Sequence, residues 1–290
     1  MSGAERTGAD RHDPTASRDG AVRGGAGADF AVLEVVEREL RDGVLYVRMN
    51  RPEAKNALSV ELRADLRTAF LEAHDDPRVR CLVLTGSGGS FSAGGDVKRM
   101  GGPSTPAHNA GRIALGRELA ELLRGVRKPT LAAVEGHAVG AGFGLALATD
   151  MILVSESARF QYGFIKRGLA PDSSVPYLLG QQIGTRTAMY YGMTGEVIDA
   201  ARAMELGIAV RSFAPEEFAD GVHAFARSMA EGPTQALFAT RKAVQAAADL
   251  SFAQTWDFES FASAVTSTTQ DHKNSVAAFK AKTPVRFQGE

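Results

Sequence analysis

A chain of 290 residues, 44% of them hydrophobic, is long enough to bury a substantial core in one or two domains. Its formal net charge of −1 gives no electrostatic reason to expect nucleic acid or an anionic membrane surface as a partner, and no apolar run approaches membrane-spanning length. The single cysteine, Cys81, excludes an intramolecular disulfide and a cysteine-based zinc cluster, and the histidines at 12, 74, 108, 137, 223 and 272 show no metal-ligand spacing. The expectation is a soluble cytoplasmic protein without a bound metal.

Residues 1–29 are rich in Gly, Ala, Ser and Thr, with acids scattered among arginines and no apolar periodicity. They read as a disordered tail, lacking the apolar stretch of a secretory signal and too acidic for a transit peptide. Val44–Met49 alternates, placing Leu45, Val47 and Met49 on one face of a strand. Ser59 can cap the helix that follows, in which Leu62, Leu66 and Phe70 form a core stripe. Short apolar runs near 80–85, 130–134 and 151–154 read as buried strands, with Cys81 a small hydrophobe in the first. Helical patterns at about 107–126 and 142–149 separate them, so the order argues for an α/β layered fold. From about 214 strand signals vanish. One amphipathic helix starts at Gly232-Pro233 with Leu237 and Val244 a heptad apart, and Trp256 with its aromatic neighbours reads as packing of this helical region or of a subunit interface.

Two glycine-rich turns follow apolar runs: Ser90-Phe91-Ser92-Ala93-Gly94-Gly95-Asp96-Val97-Lys98 and Gly136-His137-Ala138-Val139-Gly140-Ala141-Gly142-Phe143-Gly144. Small residues let backbone N–H groups approach a ligand closely. Two such turns meeting at one point would make a two-donor oxyanion hole. Neither carries a P-loop or a full dinucleotide fingerprint. The run Ser90–Gly94 approaches the G-x-S-x-G nucleophile elbow without its first glycine, leaving a serine hydrolase using Ser92 as a weak rival.

In these residues the chain resembles the crotonase, or enoyl-CoA hydratase/isomerase, superfamily. Asn50-Arg51-Pro52-Glu53-Ala54-Lys55-Asn56-Ala57-Leu58 is similar to its opening signature, Arg167-Gly168-Leu169-Ala170-Pro171-Asp172 to its active-site loop, and Ala278-Phe279-Lys280-Ala281-Lys282 to its terminal helix. The resemblance implies a spiral of ββα turns over 30–213 carrying an acyl-CoA site. A helical region over 214–290 would then assemble homotrimers or dimers of trimers. It implies the N–H groups of Gly95 and Ala141 as oxyanion donors. Ala93, Asp96, Val97 and Lys98 would lie along the CoA, with Arg51, Lys55 and Lys98 near its phosphates and Phe279 with Lys282 closing the nucleotide pocket from an adjoining subunit. Each lysine reads equally well as a solvated surface charge. CoA arrives as part of the substrate, and no other cofactor is implied.

The chain also departs from that pattern. The two glutamates of the hydratases fall at Gly144 and Phe164 here, so conventional hydration loses its acid and base. Asp172 remains. A single carboxylate suffices to move a proton from C2 to C4 of a 3-enoyl-CoA, and Phe143, Phe164 and Leu169 are expected to surround it as apolar neighbours. Asp172 equally fits as the cap of a helix starting near Ser173-Ser174. The expected activity is isomerisation of 3-enoyl-CoA to 2-enoyl-CoA. The alternatives are an atypical hydratase, an aromatic acyl-CoA dehalogenase in which Asp172 attacks the ring, and a non-catalytic acyl-CoA-binding homologue. Asp150 and His137 read as local hydrogen-bonding residues.

Overall fold

The computed structural model describes residues 33–96 and 105–290; the tail expected at 1–29, and Val97 and Lys98, lie outside them. The first element is a hairpin, β1 (Val36–Arg41) and β2 (Val44–Met49), joined by Asp42-Gly43. Both turn residues take positive φ, 52° and 75°, the geometry that matches strand twist in a two-residue hairpin loop. Helix α1 (Val60–Asp75) begins where the Ser59 side chain accepts from Leu62 N at 3.2 Å, and its stripe of Leu62, Leu66 and Phe70 is buried. It ends where Lys128 Nζ donates to the carbonyls of Ala73 and His74 at 2.8 and 2.6 Å, a cation on the negative end of the helix.

The chain then alternates: β3 (Cys81–Gly86), α2 (Pro106–Gly125), β4 (Thr130–Val134), β5 (His137–Val139), α3 (Ala141–Leu147), β6 (Met151–Ser155) and β7 (Arg159–Gln161). Next come α4 (Val175–Ile183), α5 (Thr185–Thr194), β8 (Val197–Asp199), α6 (Ala200–Glu205) and β9 (Arg211–Phe213). The helices α7 (Phe218–Ala230), α8 (Thr234–Ala247), α9 (Phe252–Thr266) and α10 (Gln270–Ala281) complete it. Six strands form one sheet in the order β1-β2-β3-β4-β6-β9, parallel except for the opening hairpin; β5-β7-β8 form a second. The chain leaves β4 for the second sheet through only Glu135 and Gly136, and β6 passes to β7 in the same way. A bridge between Ser92 and Ala138 extends the same step to the turn after β3. Successive ββα turns are therefore stacked, as the resemblance implies.

Both faces of the large sheet are covered, which is why β3 and β4 read as unbroken apolar runs rather than alternations. On one face Val44, Cys81, Val83, Leu131, Ala133 and Leu153 pack with Phe218, Val222, Ala226 and Ala230 of α7. Burial there pushes the Cys81 thiol far up, so it behaves as the small hydrophobe expected. The alternate residues, Leu45, Val47, Met49, Leu82 and Leu84, are buried on the other face.

Helix α8 is tied to this core by charge. The guanidinium of Arg241 donates to Asp150 Oδ2 at 3.1 Å and to the carbonyls of Lys128 and Val126, and Asp150 Oδ2 also accepts from Thr130 N. Asp150 thus hydrogen-bonds as expected, but across the fold rather than locally, to residues 20 and 91 positions away. The side chains are 8% and 13% exposed, so removing one leaves the other charge buried. Arg241→Ala is expected to lower the unfolding free energy by about 3 kcal/mol, measured by urea denaturation. Elsewhere the last helices bury little. Leu237 is half-buried but Val244 is 70% exposed, and Phe252, Trp256, Phe261 and Phe279 all stand out from the surface. The aromatics near Trp256 do not pack the helical region from within.

Candidate active site

The two glycine turns meet. Leu58 N donates to Gly94 O at 2.7 Å, Ser92 N to His137 O at 2.8 Å, and Val139 N to Ser92 O at 2.9 Å. The approach is so close that a Cβ on Gly142 would stand 2.6 Å from Ser92 Cβ, and one on Gly94, 3.2 Å from Ala141 N. Glycine is thus required here for contact as well as for the positive φ of Gly94, 83°. Asn56 binds the first turn from behind, donating to Ser90 O at 2.7 Å and Ser87 O at 2.9 Å while accepting from Arg51 N. Ser92 is fully buried and its hydroxyl donates to Asn56 O at 2.7 Å. It is a strut, which overturns the nucleophile-elbow reading.

In front of the turns opens a narrow cleft lined by Ala93, Gly95, Val139, Gly140, Ala141, Gly163, Phe164, Leu169, Asp172 and Ser173, with Arg63, Ile113, Gly116 and Arg167. The N–H groups of Gly95 and Ala141 donate to no other group among the described residues. Ala141 is the first residue of α3, where the N–H has no intrahelical partner and the helix dipole adds positive potential. Among the lining residues Asp172 is the only carboxylate.

The structure brings Asp172, Gly95, Ala141, Ala93, Phe164 and Leu169 together at the cleft, but not Phe143, Arg51, Lys55 or Asp96; Val97 and Lys98 lie outside the described residues. Phe143 is fully buried with its ring 5.0 Å from that of Phe160, so it belongs to the core and not to the cleft. The Arg51 guanidinium donates to Ala57 O at 2.7 Å and meets Asp96 at 3.5 Å; this pair braces the opening turn instead of lining the cleft. Lys55 is exposed and does not line the cleft, while Phe279 and Lys282 lie exposed at the end of α10, where the expectation that they reach an adjoining subunit requires them to be. Asp172 does not cap a helix with its side chain. Helix α4 starts at Val175, its N-cap is Ser174, and the half-buried Asp172 carboxylate instead accepts from Ser173 Oγ at 2.7 Å. Arg167 lines the cleft as part of the expected active-site loop, while Arg63 and Ser173 carry no expected role there: Ser173 is signalled only by adjacency to Asp172, and Arg63 by sitting beside the buried stripe of α1.

The missing glutamate at 144 has a steric counterpart. A Cβ on Gly144 would collide with the Ser173 carbonyl oxygen and stand 3.0 Å from Ser173 Cβ, because the Asp172 loop packs directly on α3. Gly144→Ala is expected to cost about 1–3 kcal/mol of stability by overpacking. Turnover should fall with it as the loop is displaced. Thermal unfolding and steady-state rates check both.

Among the described residues no group of three or more His, Cys, Asp or Glu side chains is placed to hold a metal ion, and no helix is long and apolar enough to cross a membrane.

An α/β spiral whose cleft is lined by Gly95, Ala141 and a single carboxylate has the features of the class to which comparison points. Residues 39–290 match the family model for enoyl-CoA hydratase/isomerase, and the chain belongs to that family, within the crotonase superfamily. It is 32% identical over 266 residues to the 1,2-epoxyphenylacetyl-CoA isomerase of Escherichia coli K12, covering 89% of this chain and 100% of that one. It is 34% identical over 199 residues to a 4-chlorobenzoyl coenzyme A dehalogenase of Arthrobacter, covering 68% and 72%. The crystal structure of an enoyl-CoA hydratase/isomerase from Cupriavidus metallidurans CH34 superposes with a TM-score of 0.84 at 31% identity, over 90% of this chain and 98% of that one.

Proposed function

We propose that this protein isomerises a 3-enoyl-CoA to the conjugated 2-enoyl-CoA. The observation that carries the reading is the single carboxylate, Asp172, in a cleft shared with the Gly95 and Ala141 N–H groups. Asp172 takes a proton from C2, leaving a dienolate whose charge resides on the thioester oxygen. The two N–H groups donate to that oxygen, an arrangement worth about 2.7–4 kcal/mol per donor at the transition state. The same carboxyl returns the proton to C4, so C2 and C3 become the double bond and no water is consumed. Arg63 and Arg167 cannot act as bases, because a guanidinium stays protonated.

Hydration fits less well, since it calls for a base on water and an acid at the α-carbon, and Gly144 leaves no room for a side chain. Attack by Asp172 on an aromatic ring is supported by the dehalogenase relative, but the cleft lining holds no histidine or tryptophan among the described residues. The exposed Phe252, Trp256, Phe261 and Phe279 support assembly of copies, as a homotrimer or dimer of trimers. To test the reaction, a short 3-enoyl-CoA and its 2-enoyl isomer are supplied separately and products resolved by mass spectrometry. Isomerisation without a water adduct is expected; efficient hydration of the 2-enoyl-CoA would replace this reading with a hydratase.

A further inference from the structure

We infer that Ser173 is a positioning residue that fixes the Asp172 carboxylate for proton transfer, and that Gly144 is the gap in α3 that lets it do so. The inference rests on the reading of Asp172 as proton shuttle. Ser173 Oγ donates to Asp172 Oδ1 at 2.7 Å, so one carboxylate oxygen is engaged and Oδ2 is left to carry the proton. Holding that bond requires an unfavourable backbone. Ser173 and Ser174 both adopt left-handed conformations, φ 56° and 62°, neither of them glycine. Such residues persist only where their surroundings over-determine them.

The surroundings are visible. The Ser173 carbonyl sits against Gly144, where any side chain would evict it, and Val175 N donates to Asp172 O at 3.3 Å to close the turn into α4. Gly116 of α2 leaves the space above Ser173 open, since a Cβ there would meet Arg63 Nη1 at 3.4 Å and Ser173 Oγ at 3.7 Å. Three elements, α2, α3 and α4, therefore surround the residue: Gly116 beside its hydroxyl, Gly144 against its carbonyl and Val175 closing the turn. A serine needed only for the turn would be expected to give way to glycine or asparagine at such φ values. The hydroxyl instead reaches back to the neighbouring carboxylate and faces the cleft with it.

The test compares Ser173→Ala and Ser173→Gly with wild type and Asp172→Asn. Both serine variants lose the donor, while glycine also removes the backbone strain. We expect kcat to fall about tenfold to a hundredfold in both, with KM for the 3-enoyl-CoA little changed, because misplacement of a reacting group affects the chemical step. Ser173→Gly is expected to unfold no more readily than wild type, which separates positioning from loss of fold. Crystal structures of the two serine variants should show the Asp172 carboxylate rotated or split between rotamers, a readout that needs no turnover. Full kcat in Ser173→Gly, or an unmoved Asp172 in both variants, would overturn the inference while leaving an inactive Asp172→Asn to support the shuttle. An Asp172→Asn variant that isomerises as fast as wild type would instead remove the shuttle, and the role of Ser173 with it.

Discussion

Asp172→Asn is expected to reduce the isomerisation rate by about 10²–10⁴-fold, the range over which a positioned acid–base group contributes. The substitution keeps the shape of the side chain and still accepts from Ser173 Oγ, so the loop that packs on Gly144 has no reason to move. What it removes is the ability to take a proton. No other lining group among the described residues can replace it: the other titratable side chains of the cleft are the guanidinium groups of Arg63 and Arg167. Substrate affinity should change little, because on the proposed reading the thioester oxygen would still meet the Gly95 and Ala141 N–H groups. A loss confined to kcat, measured from steady-state absorbance traces, is the expected pattern.

Ala141→Pro is expected to lower kcat by about 10²–10³-fold, since it deletes one of the two N–H groups proposed to hold the oxyanion. Backbone donors are hard to remove by substitution, but this one occupies the first position of α3, where proline is favoured and no intrahelical hydrogen bond is lost. The preceding residue is Gly140 at φ 54° and ψ −118°, which has no Cβ to clash with the proline ring. Circular dichroism and thermal unfolding close to wild type, together with the rate loss, would place the effect on the N–H rather than on the helix. A rate close to wild type in a folded variant would show that the Ala141 N–H does not hold the oxyanion.

Much of this site is legible in the sequence because its parts are short and local. A glycine turn after an apolar run announces a close backbone approach, and the Gly168–Asp172 stretch carries its carboxylate within a few residues of the motif. Phe143 shows where such reading fails. It lies two residues beyond Ala141 in a helix, and a helical step of two turns the side chain to the opposite face, into the core against Phe160. Arg51 looks available until Asp96, 45 residues later, folds back beside it. Spacing along the chain carries no trace of that ion pair.

The fold follows the same division. The buried strands β3, β4 and β6 are apolar runs five or six residues long, and α1 declares itself by its stripe and cap. The strands β5, β7, β8 and β9 are three residues each, too short for any period to register, yet they build the second sheet and close the first. Leu237 and Val244 illustrate the converse. Their heptad spacing is real, but in this chain Val244 stays 70% exposed.

The most direct measurement is the ultraviolet absorbance of the conjugated thioester after wild-type protein is mixed with a short 3-enoyl-CoA, with product mass determined at the end. Conjugation is expected to rise, with a product of unchanged mass. A product heavier by one water, or a bound substrate that never becomes conjugated, would contradict it.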